Sequence, residues 1–199
     1  AAKVVLQNTS IDVIVIGEGE NTVLSLCQHL DNKDANPLNE IRGIAYRAID
    51  GEVMFTAAVK QIKNLDELPI VNYELIDMDK YLLTAEERYG GYFFNDARFN
   101  EPHREGKKAF TIMTGRGCQA KCTFCCRGVT GLRKHSPEYL LDLMEDLIDR
   151  YNVGYFTFGD ESFISSKKWV LSFIEQLKER KLDVCFISWV QGLISLIVN

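Results

Sequence analysis

Residues 107–126 read KKAFTIMTGRGCQAKCTFCC, and the fold turns on how this stretch is understood. Ala109 to Met113 has the apolar, aromatic and β-branched character of a short strand. Thr114-Gly115-Arg116-Gly117 breaks that pattern, and Cys118, Cys122, Cys125 and Cys126 follow in one irregular loop. A loop leaving the carboxyl end of a strand is where open and barrel-like α/β sheets place their ligands.

Downstream the chain alternates. Ser136-Pro137 is a helix start, with serine as cap and proline at the first helical position. Leu140, Leu141, Leu143, Met144, Leu147 and Ile148 supply its buried face, and the helix ends near Tyr151. Tyr155 to Phe158 is a second strand, closed by Gly159-Asp160-Glu161-Ser162. A second helix runs from about Lys167 to Arg180, and Val184 to Ile187 is a third strand. The βαβαβ order implies a parallel sheet with right-handed crossovers.

Upstream, Ile11 to Ile16 reads as a buried parallel strand, Gly17-Glu18-Gly19-Glu20 as a turn, and Thr22 to Leu30 as a helix. Asp50-Gly51 between Ile41–Arg47 and Glu52–Thr56 is a hairpin signal. Asn64 to Tyr81 reads as extended linker, and residues 84–108 as loop. The expected organisation is α/β: residues 1–35 as one βα piece, 36–106 as hairpin and linker, and 107–199 as the strand–helix core.

The chain is 46% hydrophobic and 26% charged, a soluble globular composition, and its net charge of −5 argues against a bulk nucleic-acid surface. It has no signal-peptide pattern and no apolar run of about 18 residues, so no membrane span is expected. The apolar stretch from Trp189 to Asn199 reads as core whose packing partner lies beyond it. Cysteines without a secretory signal point to the reducing cytoplasm and to metal or redox chemistry. Cys27 and Cys185 stand apart and read as small buried apolar residues.

Cys118, Cys122 and Cys125 follow one another at spacings of four and three residues, so their thiolates can face one centre. Soft sulfur donors suit an iron–sulfur cluster or zinc. Structural zinc prefers four closing ligands, usually in two pairs. Cys126 points away from its neighbour, and His135 lies outside the usual ligand spacing. Three thiolates on a cubane cluster leave one iron open to a small molecule.

Beyond the cysteines, Thr111 to Cys118, Lys121-Cys122-Thr123-Phe124-Cys125, Arg133 to Glu138 and Phe158-Gly159-Asp160-Glu161-Ser162-Phe163 resemble the radical S-adenosylmethionine superfamily, in the branch with an N-terminal cobalamin-binding domain. Ile11 to Leu30 is similar to the last strand, loop and helix of that domain. The resemblance implies a partial (βα) barrel of about three strands here, preceded by a remnant of a Rossmann-like cobalamin-binding domain. It implies a [4Fe-4S] cluster on Cys118, Cys122 and Cys125, with S-adenosylmethionine chelating the fourth iron. Reductive cleavage of that cofactor yields a 5′-deoxyadenosyl radical, which abstracts hydrogen from a small-molecule substrate. By the same resemblance the backbone at Phe124 lies near the adenine. Gly159, Asp160 and Glu161 occupy the place of the motif that meets the methionyl amino group, and Gly17, Glu18 and Gly19 lie beside the cobalamin tail. The implied electron donor is a flavodoxin or ferredoxin.

Each signal also has a plainer explanation. Asp160 caps the turn after its strand; the glycines at 17 and 19 permit a tight turn. His29, His103 and His135 are surface or capping residues, and Lys107-Lys108 and Arg133-Lys134 are solvated. A radical S-adenosylmethionine core normally has six βα units, and residues 107–199 hold half of that. Both ends of the chain therefore look truncated, and activity of the isolated polypeptide is not expected. The substrate is not legible. Two functions compete: a cobalamin-associated methyltransferase or cyclase, and a non-catalytic iron–sulfur or zinc module. A methylthiotransferase would require upstream cysteines beyond Cys27.

Overall fold

The computed structural model describes residues 1–31, 37–89, 101–125, 131–160, 162–188 and 194–196. Two compact units emerge, Ala1–Lys63 and Asn64–Asn199.

The first unit is built on a three-stranded sheet ordered β1-β2-β3, from β1 (Val13–Val15), β2 (Ile44–Arg47) and β3 (Val53–Phe55). Helix α1 (Ala2–Asn8) precedes the sheet and α2 (Glu20–Asp31) follows β1. The hairpin forms as its turn chemistry dictates. Gly51 takes φ +85°, its N–H donates to Ala48 O at 2.9 Å, and Asp50 Oδ1 accepts from Glu52 N at 3.0 Å. Its first strand then pairs with β1 antiparallel, Val13 opposite Tyr46 and Val15 opposite Ile44. This corrects the expectation of a buried parallel strand over 11–16. The strand is shorter, half-buried, and takes its partner from the hairpin, because an apolar run does not encode the direction of its neighbour. On α2, Val23, Leu24 and Leu30 are exposed and only Thr22 is buried. Cys27 is exposed as well, against the expectation of a buried thiol.

The second unit holds a mixed five-stranded sheet ordered β10-β9-β8-β5-β4. Its centre is parallel: β5 (Lys108–Ile112), β8 (Val153–Phe158) and β9 (Cys185–Ser188), with Ile112 opposite Phe158 and Phe158 opposite Ser188. The edges, β4 (Leu83–Thr84) and β10 (Ile194–Leu196), pair antiparallel and complete the sheet beyond what the alternation predicts. A short helix, α3 (Ala85–Tyr89), follows β4. Every residue of β8 is buried, as befits a central strand.

Two crossover helices cover one face. In α4 (Pro137–Tyr151), Ser136 accepts from Tyr139 N at 3.1 Å, and Asn152 closes the other end in the left-handed region. In α5 (Lys167–Glu179), Ser166 accepts from Trp169 N at 3.3 Å. Leu140, Met144 and Leu147 pack toward Phe156, Phe158, Phe173 and Phe186 in one cluster. Phe158 stacks on Phe163 at 4.5 Å between centroids, and Trp169 stacks on Phe173 at 5.6 Å. Cys185 lies buried in β9, as expected of an isolated cysteine. Among the described residues no helix is long and apolar enough to cross a membrane.

Phe173 is fully buried among four aromatic partners. Phe173→Ala is expected to lower stability by about 3–5 kcal/mol in urea titrations, while Ser136→Ala costs about 1 kcal/mol. Equal effects would contradict the core assigned to this unit.

Candidate cofactor site at the carboxyl ends of the parallel strands

The parallel strands end side by side, so the segments after β5 and β8 leave the sheet at one edge. Residues 113–125 carry the cysteines away from β5; Gly159 and Asp160 follow β8. The two segments touch. Gly159 N donates to Ile112 O at 2.9 Å, and a Cβ added at Gly159 would fall 2.8 Å from Met113 Sδ.

Thr114 is the junction, with no exposed surface. Its N–H is shared by both carboxylate oxygens of Asp160 at 3.0 Å, and its hydroxyl donates to Asp160 Oδ1 at 2.8 Å. Its carbonyl accepts from His135 N at 2.9 Å. Next comes β6 (Gly115–Arg116), antiparallel to β7 (Arg133–Lys134). A side chain at Gly115 would collide with the Arg133 carbonyl, so only glycine fits. Gly117, at φ +85°, then turns the chain into the cysteine loop.

Lys134 is not solvated, contrary to the expectation from its charge. Its Nζ donates to Phe163 O at 2.6 Å and to Thr114 Oγ1 at 3.2 Å, and it lies 4.2 Å from the Trp169 ring centroid. Burial lowers its pKa to about 8, against the pull of Asp160, which raises it. His135 stacks on Tyr139, and Asp66 Oδ1 lies 2.9 Å from its Nδ1. Asp66 also accepts from Ser136 N at 3.1 Å. Burial outweighs Asp66 and lowers the imidazole pKa. His135 is thus not the cap, which is Ser136, nor a surface residue as expected: its largely buried ring is fastened to Asp66 just before the helix start.

In the loop, Cys118 and Cys122 are half-buried and Cys125 is exposed; all three are free thiols. Ala120 N donates to Cys118 Sγ at 3.4 Å, and Cys125 N donates to Cys122 O at 3.3 Å. Phe124 projects into solvent. Among the described residues no three His, Cys, Asp or Glu side chains converge closely enough to hold a metal ion. The fold therefore brings the thiols onto one loop without gathering them at one point. Their chemistry still suits a soft iron centre: three sulfur donors on one turn, one already accepting an amide hydrogen. Glu161 and Cys126 lie outside the described residues. In the other unit, Gly17 takes φ +91° and Glu18 Oε2 accepts from Ile62 N at 2.8 Å, so that loop is braced by its own chain.

Thr114, Lys134 and Asp66 escaped the sequence reading. The only signal for the first was a hydroxyl residue placed directly after an apolar strand, ahead of a glycine.

No protein-family model matches the chain. It is 30% identical over 182 residues to an uncharacterised methyltransferase of Pyrococcus horikoshii, covering 90% of this chain and 34% of that protein. It is 30% identical over 177 residues to the anaerobic magnesium-protoporphyrin IX monomethyl ester cyclase of Rubrivivax gelatinosus, covering 87% of this chain and 28% of that protein. Its fold matches the cobalamin-dependent S-adenosylmethionine radical enzyme OxsB with a TM-score of 0.64 at 24% identity, covering 87% of this chain and 22% of OxsB. The chain thus shares the fold of a cobalamin-dependent S-adenosylmethionine radical enzyme. The radical S-adenosylmethionine methyltransferase TsrM of Kitasatospora setae has the same fold, with a TM-score of 0.59 at 17% identity over 86% of this chain and 30% of TsrM. The chain spans about a third of the length of the curated relatives it matches.

The lysine generates a pH test. Because the folded chain holds the Lys134 proton less tightly than the unfolded chain, the unfolded state binds more protons between about pH 8 and the ordinary value of 10.5. Stability from this residue therefore rises with pH through that window. Unfolding titrations at pH 8 and pH 10 are expected to show the wild type gaining on Lys134→Met. The comparison cancels Tyr73 and Tyr139, whose phenols burial pushes up in both proteins. A difference that shrinks with pH would show that burial does not govern Lys134.

Proposed function

We propose that the chain is the cluster-bearing part of a radical S-adenosylmethionine enzyme whose reaction is a methyl transfer or a cyclisation. The observation that carries this reading is the loop of three free thiols leaving β5 beside the end of β8. Cys118, Cys122 and Cys125 are its ligands to a [4Fe-4S] cluster, and convergence of their sulfurs comes with metal binding, which orders the tip of the loop. Cluster and S-adenosylmethionine together supply reductive cleavage to a 5′-deoxyadenosyl radical, and a flavodoxin or ferredoxin supplies the electron.

On this reading β5, β8 and β9 are the first strands of a partial (βα) barrel within residues 107–199, joined by residues 36–106 to a remnant of a cobalamin-binding-like domain in 1–35. The exposed ring of Phe124 and the backbone beside it serve the adenine, and Gly159 leaves room beside Met113 at the site's edge. The motif leaves Asp160 and Glu161 both open to the methionyl ammonium, and Glu161 is assigned to it because the Asp160 carboxylate is bonded to Thr114. Gly17, Glu18 and Gly19 are assigned to the cobalamin tail by the resemblance alone. The substrate is a small molecule, and the protein works in the cytoplasm. Methyltransferases and cyclases among the relatives favour this over a non-catalytic metal module.

Anaerobic reconstitution with iron and sulfide should load about four irons per chain, as a cubane requires. Adding S-adenosylmethionine should alter the electron paramagnetic resonance spectrum of the reduced protein. Serine at 118, 122 or 125 should lower iron content, whereas Cys27→Ser and Cys185→Ser should not. One zinc per chain without sulfide, or a spectrum indifferent to S-adenosylmethionine, would defeat the proposal.

A further inference from the structure

The cysteine loop has a buried, fully bonded root and a more exposed tip. At the root, every polar group of Thr114 is engaged: N–H and hydroxyl by Asp160, carbonyl by His135 N, and the hydroxyl again by Lys134 Nζ. Asp160 is 5% exposed. It lies two residues beyond Phe158, as Thr114 lies two beyond Ile112, and Ile112 and Phe158 are paired in the sheet and buried in the helix-covered core. Lys134 is held over Phe163 and Trp169, aromatic residues of that same region. The carboxylate is therefore turned toward the scaffold. At the tip, by contrast, Cys125 and Phe124 are exposed and the thiols are not gathered.

We propose that Asp160 and Lys134 are positioning residues that act through Thr114, fixing the root of the loop and the station of Cys118 before iron arrives, and that neither side chain touches S-adenosylmethionine. The inference rests on the function proposed above and assigns a role to the central residue of the Gly159-Asp160-Glu161 motif. The hydroxyl of Thr114 links the two charges, giving each a partner in a region where an unpaired charge is costly. From Thr114 only Gly115, Arg116 and Gly117 separate the anchor from Cys118, and the first two are held by pairing with β7. An error at Thr114 is thus passed on to the first ligand.

The test uses Asp160→Asn, Thr114→Val, Thr114→Ser, Lys134→Met and the Asp160→Asn/Lys134→Met double variant. In the metal-free chain, amide hydrogen exchange over residues 112–118 should speed up by about tenfold in Asp160→Asn and Thr114→Val, the scale set by a lost charge-assisted hydrogen bond. Thr114→Ser should retain wild-type protection. In the reconstituted protein, the same two variants should release iron to a chelator on the order of tenfold faster, as for other residues that orient metal ligands. Their affinity for S-adenosylmethionine, read from the spectroscopic titration, should stay within about threefold, since only a side chain touching the ligand should move it further. The double variant should lose less protection than the two single losses combined, because it leaves no charge without its partner. Unchanged exchange in metal-free Asp160→Asn overturns the inference whether or not the wild type takes up iron. A tenfold loss of S-adenosylmethionine affinity with iron content intact overturns it too, by placing Asp160 on the ligand. A wild type that takes up no iron, with exchange behaving as expected, instead overturns the proposed function and leaves the anchor standing.

Discussion

Parallel pairing of β5, β8 and β9 constrains everything near the site. Parallel neighbours cannot be joined by a tight turn, so each strand must hand the chain to a crossover that returns along the outside. Helices α4 and α5 make those returns, and their apolar stripes bury the faces of β8 and β9. The strands consequently finish at a common edge. Segments distant in sequence, 113–125 and the pair Gly159 and Asp160, are delivered there together. The meeting of Thr114 with Asp160 is a result of topology before it is a result of chemistry.

A carboxylate delivered to such an edge must find partners, since an unsatisfied buried charge costs several kcal/mol. Asp160 takes two donors from Thr114, and hydrogen bonds to a charged group contribute about 1.5–3 kcal/mol each. Lys134 solves the same problem from the other side. Its ammonium donates to a carbonyl and a hydroxyl, and faces two aromatic rings that favour a cation. Burial still wins over these partners, which is why its pKa falls to about 8. At the tip of the cysteine loop the sulfurs of Cys118 and Cys122 are half-buried and Cys125 is exposed, so solvent reaches the thiols there. On the proposed function, metal binding would close the tip without any further cost of ordering the root.

The parts of this fold legible in the sequence are those written locally. Ser136-Pro137, the apolar stripe through Leu147 and the left-handed Asn152 are short-range signals, and α4 lies where they put it. Asp50-Gly51 likewise fixed its hairpin. The direction in which that hairpin pairs with β1 was not local, and the parallel expectation failed there. The antiparallel edges β4 and β10 were invisible for the same reason. In the site, cysteine spacing named the loop, and the structure puts that loop directly after β5. The brace was hidden. Lys134 looks like a surface cation in a basic dipeptide, and only tertiary packing reveals that Phe163 and Trp169 receive it. Cys27 departs in the opposite sense: standing apart from the other cysteines it read as a small buried residue, yet its helix leaves it exposed.

Charge explains why the root of a thiolate loop should be built this way. On the proposed function the three cysteines bind metal as anions, and a bare carboxylate held at Thr114, shortly before the first of them, would raise the cost of assembling the site. Hydrophobic residues in place of Asp160 and Lys134 would avoid that repulsion, and such swaps are often neutral or stabilising. They would leave the Thr114 amide unsatisfied and free to rotate the segment that follows. The polar arrangement satisfies that amide, neutralises its own acceptor with a lysine on the neighbouring β7 strand, and sets a direction for the chain that an apolar contact cannot set. What distinguishes Asp160 is therefore its geometry: a carboxylate can hold a backbone N–H and a hydroxyl of one residue at once, and that pair of bonds defines where the loop begins.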